Sequence, residues 1–403
     1  MRRLQGQRPT HNHPGVGLTP LVQEANMRHR IVTCIVMGVA LSSAVVLDGQ
    51  STSASAKGTA DRSAKATADK WSVPRMPDGR PDLQGVWANN NMTPLQRPPQ
   101  FAGRATMTDA ELTDLKQKVT ALMDGGDAFF ADELILAALD GKTKFRSADT
   151  QTGNYDQSWL SERIFDNRTS LIIDPPDGRI PPLTSGATER ARAQQAAQQA
   201  RGPADRAQDL SFSTRCVSAG TPNIRAGYQS YFEITQGPDV VALRTEMIHD
   251  ARIFQIGAPR PFESLRVALS TVEGRQARGG PSRESRAAGF HVSPAIRLYH
   301  GDSRAYWDGD TLVVDTTNYV AGATRVGAAT TEKLRTTEKF RRVAEDTIEY
   351  YITFDDPDVW SRPWTMMIPL KKTGELMFEF ACHEGNYGLR AILSGARAQE
   401  GSR

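Results

Sequence analysis

The chain has 403 residues, 39% of them hydrophobic and 24% charged, which are ordinary proportions for a globular protein with a sizeable core. Its 49 basic and 46 acidic residues leave a formal net charge of +3. So even a balance leaves no electrostatic footprint for nucleic acid or for an anionic membrane surface.

The N-terminus reads as an export signal. Arg28-His29-Arg30 precedes the uncharged apolar run Ile31 to Leu47, and Ser42-Ser43-Ala44 and Ala54-Ser55-Ala56 resemble small-residue cleavage sites. At about 17 residues the run is short for a spanning helix, so a cleaved signal peptide is expected, with an uncleaved anchor as the alternative. Residues 1–56 are thus assigned to an N-terminal extension and signal peptide, 57–70 to a disordered leader, and 71–398 to one β-rich domain. The expected location is periplasmic or secreted. Of three cysteines, Cys216 and Cys382 lie beyond the signal. An oxidising compartment would permit a disulfide between them; two separately buried thiols are the alternative.

Order is expected from near Trp71, with a short strand over Asp82 to Trp87 and a proline-rich loop over Pro94 to Pro99. Thr108 and Glu111 form a capping box, and Met107 with Leu112 a hydrophobic staple. The helix they open carries Leu112, Leu115, Val119, Leu122 and Met123 on one face and ends at Gly125-Gly126. Phe129 to Leu139 is a second helical stretch. Ala187 to Arg201, rich in Ala, Gln and Arg, reads as a solvated surface helix.

The remainder alternates as strands with turn punctuation. Leu171 to Ile173 turns at Pro175 to Gly178 and returns through Arg179-Ile180. Tyr228 to Thr235 turns at Gly237-Pro238-Asp239 and returns to Met247. Arg304 to Trp307 turns at Asp308-Gly309, a hairpin signal, and returns to Thr317. Thr337 to Val343 turns near Glu345-Asp346 and returns with Ile348, Tyr350, Ile352 and Phe354 on one face. Trp364 to Leu370 turns at Thr373-Gly374 and returns through Leu376, Phe378 and Phe380. Successive hairpins predict a mainly β fold, an antiparallel up-and-down meander that closes to hide its edges. A barrel resembling the lipocalin and calycin group is expected, and Gly85-Val86-Trp87 resembles the lipocalin Gly-x-Trp opening. A β-sandwich is the alternative.

Six motifs carry a wider resemblance. They are Pro81 to Trp87, Arg168 to Pro181, Thr245 to Arg252, Gly301 to Arg304, Trp307 to Asn318 and Cys382 to Leu389. Together they resemble a large family of exported bacterial proteins of unassigned activity. The resemblance implies export and a single domain, and it transfers no catalytic assignment.

Three predicted strand ends pair a histidine with a carboxylate: His249-Asp250, His300 with Asp302, and His383-Glu384. Strand parity groups Arg244, Glu246, Asp250 and Arg252 against Leu243, Met247 and His249, which aims His249 inward. The candidate catalytic residues are His249, Asp250, His383 and Glu384, with His383 orienting on Glu384 or Asp250. Glu246, Arg252, His300, Asp302, Arg304 and Tyr387 are candidate substrate-binding residues, Arg252 holding an anionic group. His291 reads as a surface loop residue. His249, His300 and His383 are also a minor candidate set of metal ligands, although their spacing does not require it. No nucleophile elbow, Walker or dinucleotide glycine pattern is present.

These features lead to an exported barrel enzyme. It would perform cofactor-free acid/base chemistry (isomerisation, cyclisation, lyase chemistry or hydrolysis) on a small apolar or aromatic molecule. The alternatives are a periplasmic carrier of an apolar ligand and an envelope structural protein. No nucleic-acid partner is expected, and membrane contact only through an uncleaved anchor.

Overall fold

Nine strands cannot close into a barrel with every neighbour antiparallel, because direction must alternate around an even number. The computed structural model of this chain meets that constraint with a single parallel contact. It describes residues 71–124, 131–143, 163–201, 204–224, 226, 229–257, 291–326 and 328–401. The expected signal peptide, the leader and the helix end at Gly125-Gly126 lie outside the described residues, as do Phe129 and Tyr228. Residues 68–403 cluster as one unit.

The strands, in chain order, are β1 (Gly85–Ala88), β2 (Ile172–Asp174), β3 (Tyr231–Gln236), β4 (Val240–Thr245), β5 (Ala251–Ile256) and β6 (Asp302–Asp308). They continue with β7 (Thr311–Thr317), β8 (Arg325–Val326), β9 (Ala328–Ala329), β10 (Arg335–Ala344), β11 (Thr347–Asp355) and β12 (Trp364–Lys372). The barrel order is β1-β3-β4-β5-β6-β7-β10-β11-β12, and β12 returns to β1 through Trp87↔Lys372 and Ala88↔Lys371. β5 and β6 run parallel, with Gln255↔Arg304 and Ile256↔Ala305. This pair departs from the sequence reading, which expects an uninterrupted antiparallel meander. β8 and β9 form a separate two-stranded sheet.

Two expected return strands are absent. Residues 179–180 do not pair back; β2 lies along β12 through Ile172↔Met366 and Asp174↔Thr365. Residues 373–380 form no strand, and Leu376 and Phe378 are 71% and 69% exposed. The physical reason is edge occupancy. One edge of β12 is paired to β11 and the other is already shared by β1 and β2.

Helices α1 (Asp109–Asp124) and α2 (Ala131–Leu139) pack beside the barrel around a second core that contains Leu115, Val119, Leu134 and Ile135. The capping box is formed: the Thr108 amide donates to Glu111 Oε2 at 2.8 Å, and the Glu111 amide to Thr108 Oγ1 at 3.2 Å. α3 (Ser185–Arg201) is largely exposed, with Thr184 Oγ1 accepting from the Ala187 amide. The sequence reading misses α4 (Tyr387–Glu400), which Asn386 caps through the Leu389 amide.

The interior is a packed core. Trp87, Phe232, Phe254, Phe340, Tyr350, Phe354 and Trp364 are each at most 1% exposed and fill the space between the strands. Phe340 stacks on Tyr350 at 4.4 Å and Phe354 on Trp364 at 4.5 Å between ring centroids. Set into this apolar wall is an ion pair. Arg252 Nη1 and Nη2 donate to Glu338 Oε1 and Oε2 at 2.9 and 2.5 Å, and the Tyr350 hydroxyl donates to Oε1 as well. Burial alone would drive the proton from Arg252, but the facing Glu338 carboxylate outweighs it and holds the guanidinium charged. Burial pushes Tyr319 up to about 12, with Arg252 opposing and Glu338 reinforcing the shift.

A buried pair of this kind is costly to break from one side. Arg252→Met should lower unfolding free energy by about 3–5 kcal/mol in urea titrations, whereas the double replacement R252M/E338L should cost less than either single change. A double variant as unstable as the sum of the singles would contradict this picture.

Candidate active site at the loop end

The two barrel ends differ in how the chain turns. One end carries tight connections: Gln236 to Val240, Asp308 to Thr311 and Ala344 to Thr347. The other carries the long connections, including residues 318–334 between β7 and β10, and the segments leading into β3 and β6. Functional groups concentrate on such loops because a rigid scaffold can hold them without needing their backbone for its own ladder.

Backbone strain points to the same end. Among the described residues, five non-glycines have positive φ: Cys216, Gln229, Ile248, His249 and Asn318. Gln229 leads into β3, Ile248 and His249 follow β4, and Asn318 follows β7. Left-handed backbone is costly for a β-branched residue, yet Ile248 sits at φ 60°, ψ 10° and His249 at φ 54°.

That turn resets the strand parity. The Thr245 amide donates to the Asp250 carbonyl at 2.8 Å, and Leu243 lies opposite Arg252. Asp250 and Arg252 therefore face inward with Leu243, at 8% and 5% exposure. The expectation that His249 faces the interior while Asp250 and Arg252 face away is overturned. His249 stands at the rim, its side chain 26% exposed. Arg252, expected to hold an anionic substrate group, is sealed against Glu338.

The carboxylate of the first motif pairs with the histidine of the second. His300 faces Asp250, with Nε2 3.4 Å from Oδ1. Its Nδ1 lies 2.7 Å from Thr221 Oγ1. Asp250 Oδ2 in turn accepts from Ser218 Oγ at 3.1 Å and from the Ala219 amide at 2.9 Å. Asp250 thus serves His300, not His383 as the sequence suggests. Gly301 makes this placement possible. It has φ +66°, and a Cβ there would lie 2.6 Å from Thr316 Cγ2 and 2.7 Å from the Thr317 carbonyl.

Asp302 forms a second pair. Its Oδ2 lies 3.0 Å from His291 Nδ1 and accepts from the Val292 amide, while Arg304 Nη1 is 2.7 Å from Oδ1. His291 is therefore no surface bystander; its side chain is 15% exposed. Burial alone would raise the Asp302 pKa, but the hydrogen bonds from His291 and Val292 and the Arg304 charge lower it overall.

The third motif reaches this end by a different route. Residues 373–386 leave β12 at the hairpin end and arrive at the rim. The Phe378 amide donates to Glu246 Oε1 at 3.2 Å, and Glu379 Oε1 lies 3.5 Å from His249 Nε2. Cys382 is bonded to Cys216. His383 and Glu384 are exposed, and Tyr387 is 80% exposed at the start of α4. Burial raises the Glu246 pKa, with the Phe378 amide opposing it. His249, His300 and His383 each have separate surroundings, and no group of three or more potential metal ligands occurs among the described residues.

Sequence reasoning missed Ser218, Thr221, Glu338 and the bond that Tyr350 makes to it, and misjudged His291. Ser218 and Thr221 lie in a loop with no periodicity. Glu338 was legible: it shares parity with Phe340 in a strand whose other face is charged. Comparisons of the chain with protein-family models, curated proteins and solved structures find no match.

The two shifted carboxylates act oppositely on stability. The lowered Asp302 pKa contributes stability above the ordinary carboxylate range, lost as pH falls through the lowered value. The raised Glu246 pKa works in reverse, costing stability as pH rises through the ordinary range to the raised value. In thermal melts across pH, Asp302→Asn should flatten the acid limb. Glu246→Gln should melt higher than the parent at neutral pH and converge with it in acid; the opposite order would contradict the assignment.

Proposed function

We propose that this chain is an exported barrel enzyme whose acid/base group is His300, working at the loop end and not inside the barrel. One observation carries the reading: a partly exposed imidazole, 27% accessible, is held between a buried hydroxyl and a buried carboxylate. A histidine oriented in this way is an effective proton carrier near neutral pH. Asp250 balances the charge when the ring is protonated, and Thr221 fixes the ring plane. His249, beside Glu379, is the neighbouring titratable pair.

The surroundings favour an apolar or aromatic substrate. Tyr299, next to His300, is 45% exposed and meets Phe212 edge-on at 5.2 Å. Leu298 is 41% exposed. The reaction class is proton transfer: isomerisation, cyclisation, lyase chemistry or hydrolysis. The Cys216–Cys382 bond supports an oxidising, extracytoplasmic location. A lipocalin-like carrier would need room within the barrel, where the aromatic side chains are close-packed, so the rim enzyme is preferred to the carrier.

The test is turnover of a panel of small aromatic and apolar ketones, enols, lactones and esters. His300→Ala should lower kcat by roughly 10²–10⁴-fold with little change in KM, the usual contribution of a general acid/base. Asp250→Asn should give a smaller loss of the same kind. Undiminished kcat in a folded H300A variant would reject His300 as the proton carrier.

A further inference from the structure

The loop that orients the rim pair is also the loop that the disulfide anchors. Cys216 precedes Ser218 by two residues and Thr221 by five. Between them, residues 218–221 supply two hydrogen bonds to Asp250 Oδ2 and the contact with His300 Nδ1. The Gly220 amide donates to Ser218 Oγ at 3.0 Å, which sets that hydroxyl toward Asp250. No strand ladder holds this stretch; Cys216 itself has φ 55°.

The Thr221 amide donates to the Ala323 carbonyl at 3.3 Å, and the C-terminal segment braces the Cys216 side of the loop. Cys382 is bonded to Cys216, with Cα atoms 5.5 Å apart. Asn386 Nδ2 donates to the Thr214 carbonyl at 3.0 Å and lies 3.2 Å from Cys216 Sγ, while its Oδ1 caps α4. Arg397 on α4 donates to the Ala204 and Asp205 carbonyls at the far end of the same loop.

We propose that the Cys216–Cys382 disulfide is a positioning element of the rim pair: it fixes the loop whose Ser218, Ala219 and Thr221 hold Asp250 and His300 in register. This rests on the reading of His300 as the acid/base group, and it adds a redox dependence to it. A dithiol reductant supplies two electrons and two protons. The S–S bond opens to two thiols, and the reductant closes to its own disulfide. Neither cysteine belongs to the barrel core, so the loss is expected in the geometry of the pair and not in the fold.

The imidazole reports that geometry directly. With Nε2 facing the Asp250 carboxylate, the neutral ring carries its proton on Nε2, and Nδ1 accepts from Thr221. Among the described residues, Asp250 faces His300, and the other titratable groups at this end include Asp302, with Arg304 and His291, and His249, with Glu379.

The experiment is ¹⁵N imidazole spectroscopy of the full chain at a pH where the ring is neutral, with His300 assigned from an H300N sample. The oxidised protein should show one dominant Nε2–H tautomer. The C216A/C382A variant, and parent protein reduced by dithiothreitol under native conditions, should show tautomers in fast exchange, with near-UV circular dichroism of the barrel tryptophans retained. Reoxidation should restore the single tautomer. An unchanged tautomer population after reduction would overturn the proposal, whether or not a substrate has been found. If C216A/C382A fails to fold, the native reduction decides the question alone. Where turnover is measurable, reduction should lower kcat and leave KM; a change confined to KM would also contradict it.

Discussion

A guanidinium placed inside an apolar barrel demands a carboxylate in the same place, and much of this structure follows from that demand. Arg252 reaches the interior only because the turn after β4 takes two residues through left-handed backbone and reverses the expected parity. Without that reversal Glu338 would be a lone charge at 0% exposure. The same reversal turns Asp250 inward at the rim, where Ser218 and the Ala219 amide receive it. Core pairing and site geometry are thus two consequences of one strained turn.

The division of labour between the barrel ends is equally physical. Tight hairpins close one end, where Asp308 to Thr311 needs only Gly309 at positive φ. Long connections crowd the other, which holds the histidine–carboxylate contacts His300–Asp250, His291–Asp302 and His249–Glu379. The odd strand count contributes as well. It forces a parallel pair, and because β6 runs parallel to β5 it begins at the loop end, with His300 and Asp302 there.

The barrel was legible because period-2 alternation and turn residues are local signals. Ile348, Tyr350, Ile352 and Phe354 alternate cleanly, and all face inward. The capping box at Thr108 was legible for the same reason. The parallel pair was not, since closure is a property of the whole sheet. Nor was the fate of residues 373–380, whose alternation of Leu376 and Phe378 reads as a strand although β12 has no free edge to offer. At the site, the motifs named Asp250 and His300, which the fold brings face to face, but parity counted through an unseen turn misdirected His249 and Arg252. Thr221 and Ser218 had no signal, because their roles depend on contacts 79 and 32 residues away in the chain.

The central claim is that small molecules are received at the loop end beside His300 and not within the barrel. Crystals soaked with a library of small aromatic fragments test it most directly. The account predicts fragments bound within hydrogen-bonding reach of His300, against Tyr299 and Phe212, with the Phe340–Tyr350 stack undisturbed. Fragments lodged inside the barrel, displacing that stack, or gathered at the hairpin end would contradict it.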